Sequence, residues 1–403
     1  MNYTKEEVLQ YVAEEDVKFI RLSFCDVFGR QKNISIMPDE LYRAFETGIA
    51  FDASAITGFG DETQSGLLLH PDPDTLSVLP WRPEHGRVVR MYSYITYPDG
   101  TPFEADTRAL LKKAISEAEA KGYSFFFGSE QEFYLFETDD FGAPTTRTYD
   151  KAGYMDIAPD DRGENVRREV CLTLEQMGIC PESSHHEEGP GQNEIDFRYS
   201  DPLTAADNTM TFQTVVRTVA KRNGVYADFS PKPIEGQPGN GFHINMSVKP
   251  DTGDCNLGYM IAGVLERAKA LTVFLNPSDN SYRRLGRSKA PKYISWSKGN
   301  RSQLIRIPEV ADGKTRAELR SPDPSANPYL AFALIIYAGL AGLENQIPLQ
   351  DPAEINLFKA DGETLSRFEK LPETRAEAIK AALESDFIRE RVPAKILEIY
   401  CGR

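Results

Sequence analysis

Hydrophobic and polar positions along the chain follow two rhythms, a period of two in several short runs and a period near 3.6 in others. The opening MNYTKEEVLQYVAEED has helical, amphipathic spacing, with Thr4 and Glu7 placed as a capping box. VKFIRLSFCDVFGRQKNISI then gives two strand-like runs split by Phe28-Gly29-Arg30, which predicts a hairpin. Further strand-like runs cover 75–79 and 87–95. The turn-rich TYPDGTPFEAD ends in a helix N-cap, and TRALLKKAISEAEAKG runs from it to a glycine stop. This predicts a small β-rich N-terminal domain over 1–100 and a larger domain over 101–403. Beyond the boundary, helices are predicted over 164–178, 202–223, 259–274, 328–347 and 372–382. They mix with strands without a steady βαβ rhythm, so the fold class is α+β.

Four of the alternating segments carry chemistry on one face. FFFGSEQEFYLF sets Glu130 and Glu132 on the same side of a strand, between aromatic residues that argue against simple solvation. SSHHEEGPGQNEIDF brings His185, His186, Glu187 and Glu188 to a tight turn, followed by Glu194 and Asp196 on one face. Adjacent histidines on a strand point to opposite sides, so at most one of the two joins a given site. GNGFHINMSV separates Phe242, Ile244 and Met246 from His243, Asn245 and Ser247, and KTRAELRSPDP puts Arg316, Glu318 and Arg320 together. Each segment alone reads as a polar surface. Together they describe one concavity of carboxylates, one imidazole and several guanidiniums. Carboxylates that close need cations between them. Oxygen ligands with a single imidazole suit Mg²⁺ or Mn²⁺ better than zinc, and arginines beside them suit phosphates. The chemistry this supports is metal-assisted phosphoryl transfer.

Composition narrows the partners. The 403 residues carry 46 Lys plus Arg against 61 Asp plus Glu, a formal net charge of −15, which disfavours nucleic acid or anionic lipid. Against that background, NSYRRLGRSKAP gathers Arg283, Arg284, Arg287 and Lys289 in a glycine-containing loop, so these cations must act locally. The five cysteines are widely spaced without a C-x-x-C, which favours a reducing cytoplasm over a disulfide framework. The start of the chain is unlike a signal peptide. The longest apolar run, 329–343, is shorter than the roughly 20 residues of a membrane span and reads as a buried helix. No G-x-x-x-x-G-K-[ST] and no Rossmann glycine fingerprint is present, so a nucleotide would be held another way.

A series of motifs in order now identifies a family: FDASAI, GSEQEFYLF, GYMDIAP with GENVRRE, HHEEGPGQNEIDF, PKP before GNGFHINMS, NRSQLIRIP and RAELRSPDPSANPYLA. The chain resembles the glutamine synthetases of the bacterial type I kind over nearly its whole length. The resemblance implies an N-terminal β-grasp domain and a C-terminal catalytic domain, assembled in rings of six that are often stacked as twelve. It implies one metal site of Glu132, Glu187 and Glu194 and another of Glu130, His243 and Glu318. Arg284 and Arg320, with Gly239, match residues that hold glutamate; Arg301, Arg306 and Arg316 match those on ATP phosphates, with Ser247 on the nucleotide side. Asp52 matches an aspartate that the neighbouring subunit lends for ammonium. The implied reaction passes the γ-phosphate of ATP to the γ-carboxylate of glutamate, and ammonia then displaces phosphate.

Three features depart from the family pattern. Its flap loop usually ends in Glu-Ala-Pro, a glutamate that helps hold ammonium and takes a proton; here the residues are Lys289-Ala290-Pro291. A lysine cannot act as that carboxylate base. This leaves open a γ-glutamyl ligase for another amine, or a catalytically weak regulatory or structural homologue, beside glutamine synthesis itself. The sequence ends after FIRERVPAKILEIYCGR, without the helical segment that clasps the opposite ring in many members, so stacked rings are not assured. Phe358 stands where adenylylated members have tyrosine, and that control is not expected.

Overall fold

The computed structural model describes residues 3–63, 65–82, 85–253, 256–309 and 315–402. Lys314, at the head of the KTRAELRSPDP segment, lies outside the described residues. The first sheet is built from β1 (Val17–Cys25), β2 (Gln31–Ile36), β3 (Ile49–Asp52), β4 (Gly66–Pro71), β5 (Ser77–Val78) and β6 (Arg87–Thr96). Its order is β2-β1-β6-β4-β3, with β5 against β6. The expected hairpin is β1–β2, with Ile20 opposite Ile36. Ahead of it, α1 (Lys5–Glu14) carries the expected capping box: Glu7 N donates to Thr4 Oγ1 at 3.2 Å and Thr4 N to Glu7 Oε2 at 2.7 Å. The strand read over 75–79 shrinks to β5, because Pro73 starts a 3₁₀ turn, Pro73–Thr75, that Asp72 caps. A short helix, α2 (Leu41–Thr47), packs near β4.

The second sheet has nine strands among the described residues: β7 (Tyr123–Thr138), β8 (Pro144–Thr148), β9 (Pro181–His186), β10 (Gln192–Phe197), β11 (Val225–Asp228), β12 (Phe242–Pro250), β13 (Trp296–Lys298), β14 (Ile305–Ile307) and β15 (Ala317–Leu319). Its path is β13-β14-β15-β12-β7-β10-β9, which makes the four chemically marked segments consecutive neighbours. Parity sorts their side chains. Phe125, Phe127, Phe133 and Leu135 of β7, Ile195 of β10, Ile244 of β12 and Leu319 of β15 are buried in the apolar clusters. The intervening residues point to the other face.

The apolar face is covered by α3 (Thr107–Glu119), α4 (Glu164–Gln176), α5 (Pro202–Arg222), α6 (Leu257–Leu275) and, after the short α7 (Asp279–Arg284), α8 (Pro328–Glu344). The apolar run of α8 is buried from Pro328 to Leu340, as its all-round hydrophobicity requires. No helix of the described residues is long and apolar enough to cross a membrane. The helix expected over 372–382 begins later, at Arg375, where the side chain of Thr374 accepts from Glu377 N at 3.2 Å.

The two sheets are joined by a buried polar knot. Arg108, at the start of α3 and 3% exposed, donates to Asp207 of α5 through Nε at 3.0 Å and Nη2 at 2.8 Å, and Nη2 also pairs with Asp72 at 2.9 Å. Tyr94 of β6 donates to Asp72 at 3.0 Å, and Tyr329 of α8 to Asp207 at 2.6 Å. A forked guanidinium–carboxylate pair fixes direction as well as distance. Removing the cation leaves both acids buried without it, so Arg108→Ala should lower unfolding free energy by about 3–5 kcal/mol. Urea unfolding checks this; a loss near zero would mean that the knot is solvated.

Candidate active site

On the open face of the second sheet, a cavity of about 470 Å³ is lined by β7, β10 and β12 side chains and by the loops around them. Backbone register places its chemistry: Glu194 lies opposite Glu132, and His243 opposite Glu130. Asn245 and Arg306 both lie opposite Glu318, which has no exposed surface. Glu318 pairs with Arg306 and, at 2.5 Å, with Arg320 Nη1. His243 Nδ1 stands 3.5 Å from both Glu130 and Glu318. Arg316 Nε donates to Asn245 Oδ1 at 3.0 Å, and Asn245 Nδ2 to Glu130 Oε1 at 2.7 Å. The wall thus alternates anion and cation at hydrogen-bond spacing.

Glycines let backbone enter this wall. At Gly241 an added Cβ would come within 2.5 Å of His243 Nε2, and its N–H donates to Glu132 Oε2 at 2.9 Å. At Gly239 a Cβ would meet Pro231 O at 2.4 Å and Arg284 Cγ at 2.9 Å. Arg284 is 3% exposed, donates through Nη1 to Ser321 O at 2.8 Å, and keeps a buried Nε without a partner.

The residues fit divalent cations. Ligand atoms of Glu130, His243 and Glu318 lie within 4.8 Å of one another, which is the set expected for one site. Glu187 and Glu194 form a second such group, but with His185. Glu132, expected in that group, lines the same cavity and accepts from Gln192 Nε2 at 3.0 Å as well as from Gly241. Burial, then Glu187, pushes the Glu132 carboxyl up to about 7. Burial and Glu130 push Asp196 up to about 6, and burial with the neighbouring acids drives Glu194 well above the carboxylate range. Burial also works against the charge of Glu187, yet hydrogen bonds from His185, at 3.1 Å, and from Glu188 N, at 2.9 Å, hold its carboxyl below the usual range. Crowded carboxylates that resist ionising are the condition a bound cation relieves.

The stretch read as a loop, 280–291, is in part helix. Asp279–Arg284 form α7, capped by Ser278 through Ser281, and Arg283 and Arg284 occupy its last turn, where the helix dipole favours cations. Arg283 pairs with Glu235 at 2.6 Å. Lys289 stands at the cavity rim, its side chain 52% exposed: Nζ lies 2.6 Å from Glu188 Oε1 and 5.4 Å from the Tyr154 ring centroid. Arg301, Arg306, Arg316 and Arg320 line the cavity too. Asp52 and Ser247 do not. Asp52 ends β3 in the first sheet and accepts from Ser54 N at 2.9 Å, while Ser247 lies further along β12 on the face of His243.

Several residues that the sequence did not single out as site residues are in place. His185 lies opposite Glu194, and Gln192 bridges Glu132 to the backbone of Gly239. Tyr154 sets its ring edge-on to His185 at 5.5 Å. Behind the turn, fully buried His186 sits 2.6 Å from Glu187 O through Nδ1 and 2.9 Å from Asp150 Oδ1 through Nε2, fixing the backbone that presents Glu187. The two histidines do face opposite ways, one to the cavity and one to its support.

A folded carboxyl raised above its unfolded value binds its proton more tightly in the folded chain. Ionising it costs stability as pH rises from the unfolded value through the folded one. For Glu132 and Asp196 that window runs from about 4 to about 7. The metal-free chain should therefore lose stability from these groups on going from pH 5 to pH 8, and Mg²⁺ or Mn²⁺ should raise Tm more at pH 8 than at pH 5. Thermal melts with and without chelator measure the difference; an equal metal effect at both pH values would contradict it.

Comparison with known proteins gives the family. The model of the glutamine synthetase β-grasp domain matches residues 16–98, and that of the glutamine synthetase catalytic domain matches 104–402. The glutamine synthetase of Clostridium saccharobutylicum is 45% identical over 405 residues, covering 96% of this chain and 91% of that protein. That of Methanosarcina mazei is 45% identical over 412 residues, covering 98% and 92%. Among solved structures, "GmaS/ADP complex-Conformation 1" superposes with a TM-score of 0.88 at 28% identity, covering 99% of this chain and 94% of that one. Plasmodium falciparum glutamine synthetase shares the fold, with a TM-score of 0.86 at 21% identity over 99% and 95% of the two chains. The chain belongs to the glutamine synthetase family.

Proposed function

We infer that the chain is an ATP-dependent ligase that joins ammonia to the γ-carboxylate of L-glutamate through a γ-glutamyl phosphate, giving glutamine. One observation carries this: a ligand cluster of half-buried Glu130 with buried His243 and Glu318, interleaved with Arg306, Arg316 and Arg320 in the same cavity as a second cluster of His185, Glu187 and Glu194. Mg²⁺ or Mn²⁺ bound by these clusters, with Glu132 beside them, would supply charge neutralisation for the phosphates. Arg284, Arg320 and the backbone of Gly239 bind and orient glutamate. Arg301, Arg306 and Arg316 hold the phosphates of ATP in line with the attacking carboxylate, with Ser247 marking the nucleotide side.

In this reading Asp52, which does not line the cavity of its own chain, serves that of a neighbouring copy. The working unit is then a homo-oligomer, a six-membered ring whose sites fall between subunits, with stacking to twelve a further assembly. The division into 1–100 and 101–403 fits the two sheets, which end and begin on either side of it. A cytoplasmic setting accords with Cys25, Cys171, Cys180 and Cys401 all being free thiols.

Purified protein with Mg²⁺ or Mn²⁺, ATP and glutamate should release phosphate and form glutamine when ammonium is added. Removing one ligand, as in Glu318→Gln, should cut the rate by about 100-fold or more. No γ-glutamyl product from ammonium or from a panel of amines would reject the ligase reading. Asp52→Ala and Glu130→Ala proteins, each weak alone, should regain activity when mixed and allowed to exchange subunits. Failure to complement in a mixture shown to exchange would place Asp52 outside the shared site.

A further inference from the structure

We propose that the seam between the first sheet and α5 binds a small oxyanion, a phosphate or carboxylate head on a short organic body, clasped by Arg21 and Arg90. This goes beyond the ligase reading and does not rest on it. β1 and β6 run parallel, with Arg21 opposite Arg90 and Ser23 opposite Tyr92, so these four side chains share one face of the first sheet. Their neighbours Ile20, Leu22, Val89 and Met91 point the other way, into the apolar core. Register therefore sets two guanidiniums directly across adjacent strands, where like charges are destabilising.

A cavity of about 200 Å³ opens over this face, and among the described residues no carboxylate lines it. The acids of the same seam are committed elsewhere: Asp72 and Asp207 both bind Arg108, at 2.9 Å and 2.8 Å. Arg90 is 7% exposed, its Nη1 donates to Thr211 Oγ1 at 3.1 Å, and its guanidinium lies 4.0 Å over the Tyr92 ring. Its Nε is buried without a partner. A buried donor left unpaired is costly, and here it belongs to a cation on the wall of a cavity. Burial, then the charge of Arg82, push the Arg21 guanidinium down, which an anion beside it would reverse.

The rest of the lining suits the same guest. Ser23, Gln31 and Asn33 offer neutral donors beside the two arginines. Thr214 Oγ1 donates to Gln31 Oε1 at 2.5 Å, which occupies the oxygen of that amide and leaves its NH₂ as the free end. Leu79, Trp81 and Met177 supply an apolar side, and the volume leaves room for a few atoms beyond an oxyanion head. Planar guanidiniums match carboxylate and phosphate oxygens in forked pairs. Arg21 and Arg90 come from the first sheet and Thr211 and Thr214 from α5, so one bound anion would tie the two domains together.

Trp81 lines this cavity, and the chain has one other tryptophan, Trp296, so Trp296→Phe makes Trp81 the sole tryptophan reporter. In that full-length protein, glycerol phosphate or malonate, titrated against chloride of equal ionic strength, should change Trp81 emission saturably. Arg90→Gln in the same background should raise the apparent Kd about tenfold or more, and so should Arg21→Gln. Saturation with glycerol phosphate alone assigns a phosphate head, with malonate alone a carboxylate head, and with both the oxyanion they share. Arg21→Gln also removes one of two facing charges, so its Tm without anion should hold or rise. No saturable change with either compound, or titrations that both variants leave unmoved, overturns the inference. A fall in the anion-free Tm of Arg21→Gln overturns it as well, because the pair would then serve the fold alone.

Discussion

Glu318 is a carboxylate with no exposed surface, and such a group survives only where it is paired. Arg306 comes to it from β14, Arg320 from the end of its own strand, and His243 from β12. Those three contacts require β14, β15 and β12 to lie in one register. A slip of one residue would turn Glu318 toward the helices, and Ala317 and Leu319 toward the cavity. The same requirement passes across β7 to β10, since His243 faces Glu130 and Glu194 faces Glu132. The electrostatics of the site and the packing of the core are therefore two faces of a single register. Either would be lost with the other.

The arginines have more than one partner in the cavity. Arg306 and Arg320 neutralise Glu318, and Arg316, through Asn245, steadies Glu130. In the ligase reading the same guanidiniums meet phosphate, and their fixed positions mean that little rearrangement is needed when charge develops during transfer. Arg284 shows how firmly they are held, with its Nη atoms on the carbonyls of Ser321 and Arg320. Glycine at 239 and 241 is required for the same reason, because any side chain there would displace Arg284 or His243.

Much of this was legible in the sequence because a strand has a period of two. The alternation in GSEQEF, QNEIDF, GFHINMS and RAELR assigned Glu130, Glu132, Glu194, His243 and Glu318 to one face, and the register bears that out. The capping box of Thr4 and Glu7 found α1 as well. What escaped depends on long-range partners. Nothing near His186 announces that Asp150, 36 residues earlier, will bury it. Tyr154 and Gln192 likewise gain their meaning only when loops from separate strands meet at the rim. The helix Asp279–Arg284 was missed for a different reason: its Ser278 and Ser281 cap lies under a run of arginines and a glycine that reads as loop.

The basic stretch from Arg283 to Lys289 sits oddly with a net charge of −15 until each cation is placed. Arg283 is met by Glu235 at the surface, Arg284 by backbone carbonyls inside, and Lys289 by Glu188 at the rim. The loop as a whole is not one positive patch, because Arg283, Arg284 and Lys289 each answer a different neighbour. That separation matters for the cavity. Arg284 can hold an anion deep in the funnel while Lys289 is occupied at its edge, and Glu187, directly before Glu188, stays with His185 and Glu194. The turn Glu187-Glu188 thus divides its two carboxylates between the metal side and the flap. Residue 289 holds Glu188 directly and reaches Glu187 through its charge alone.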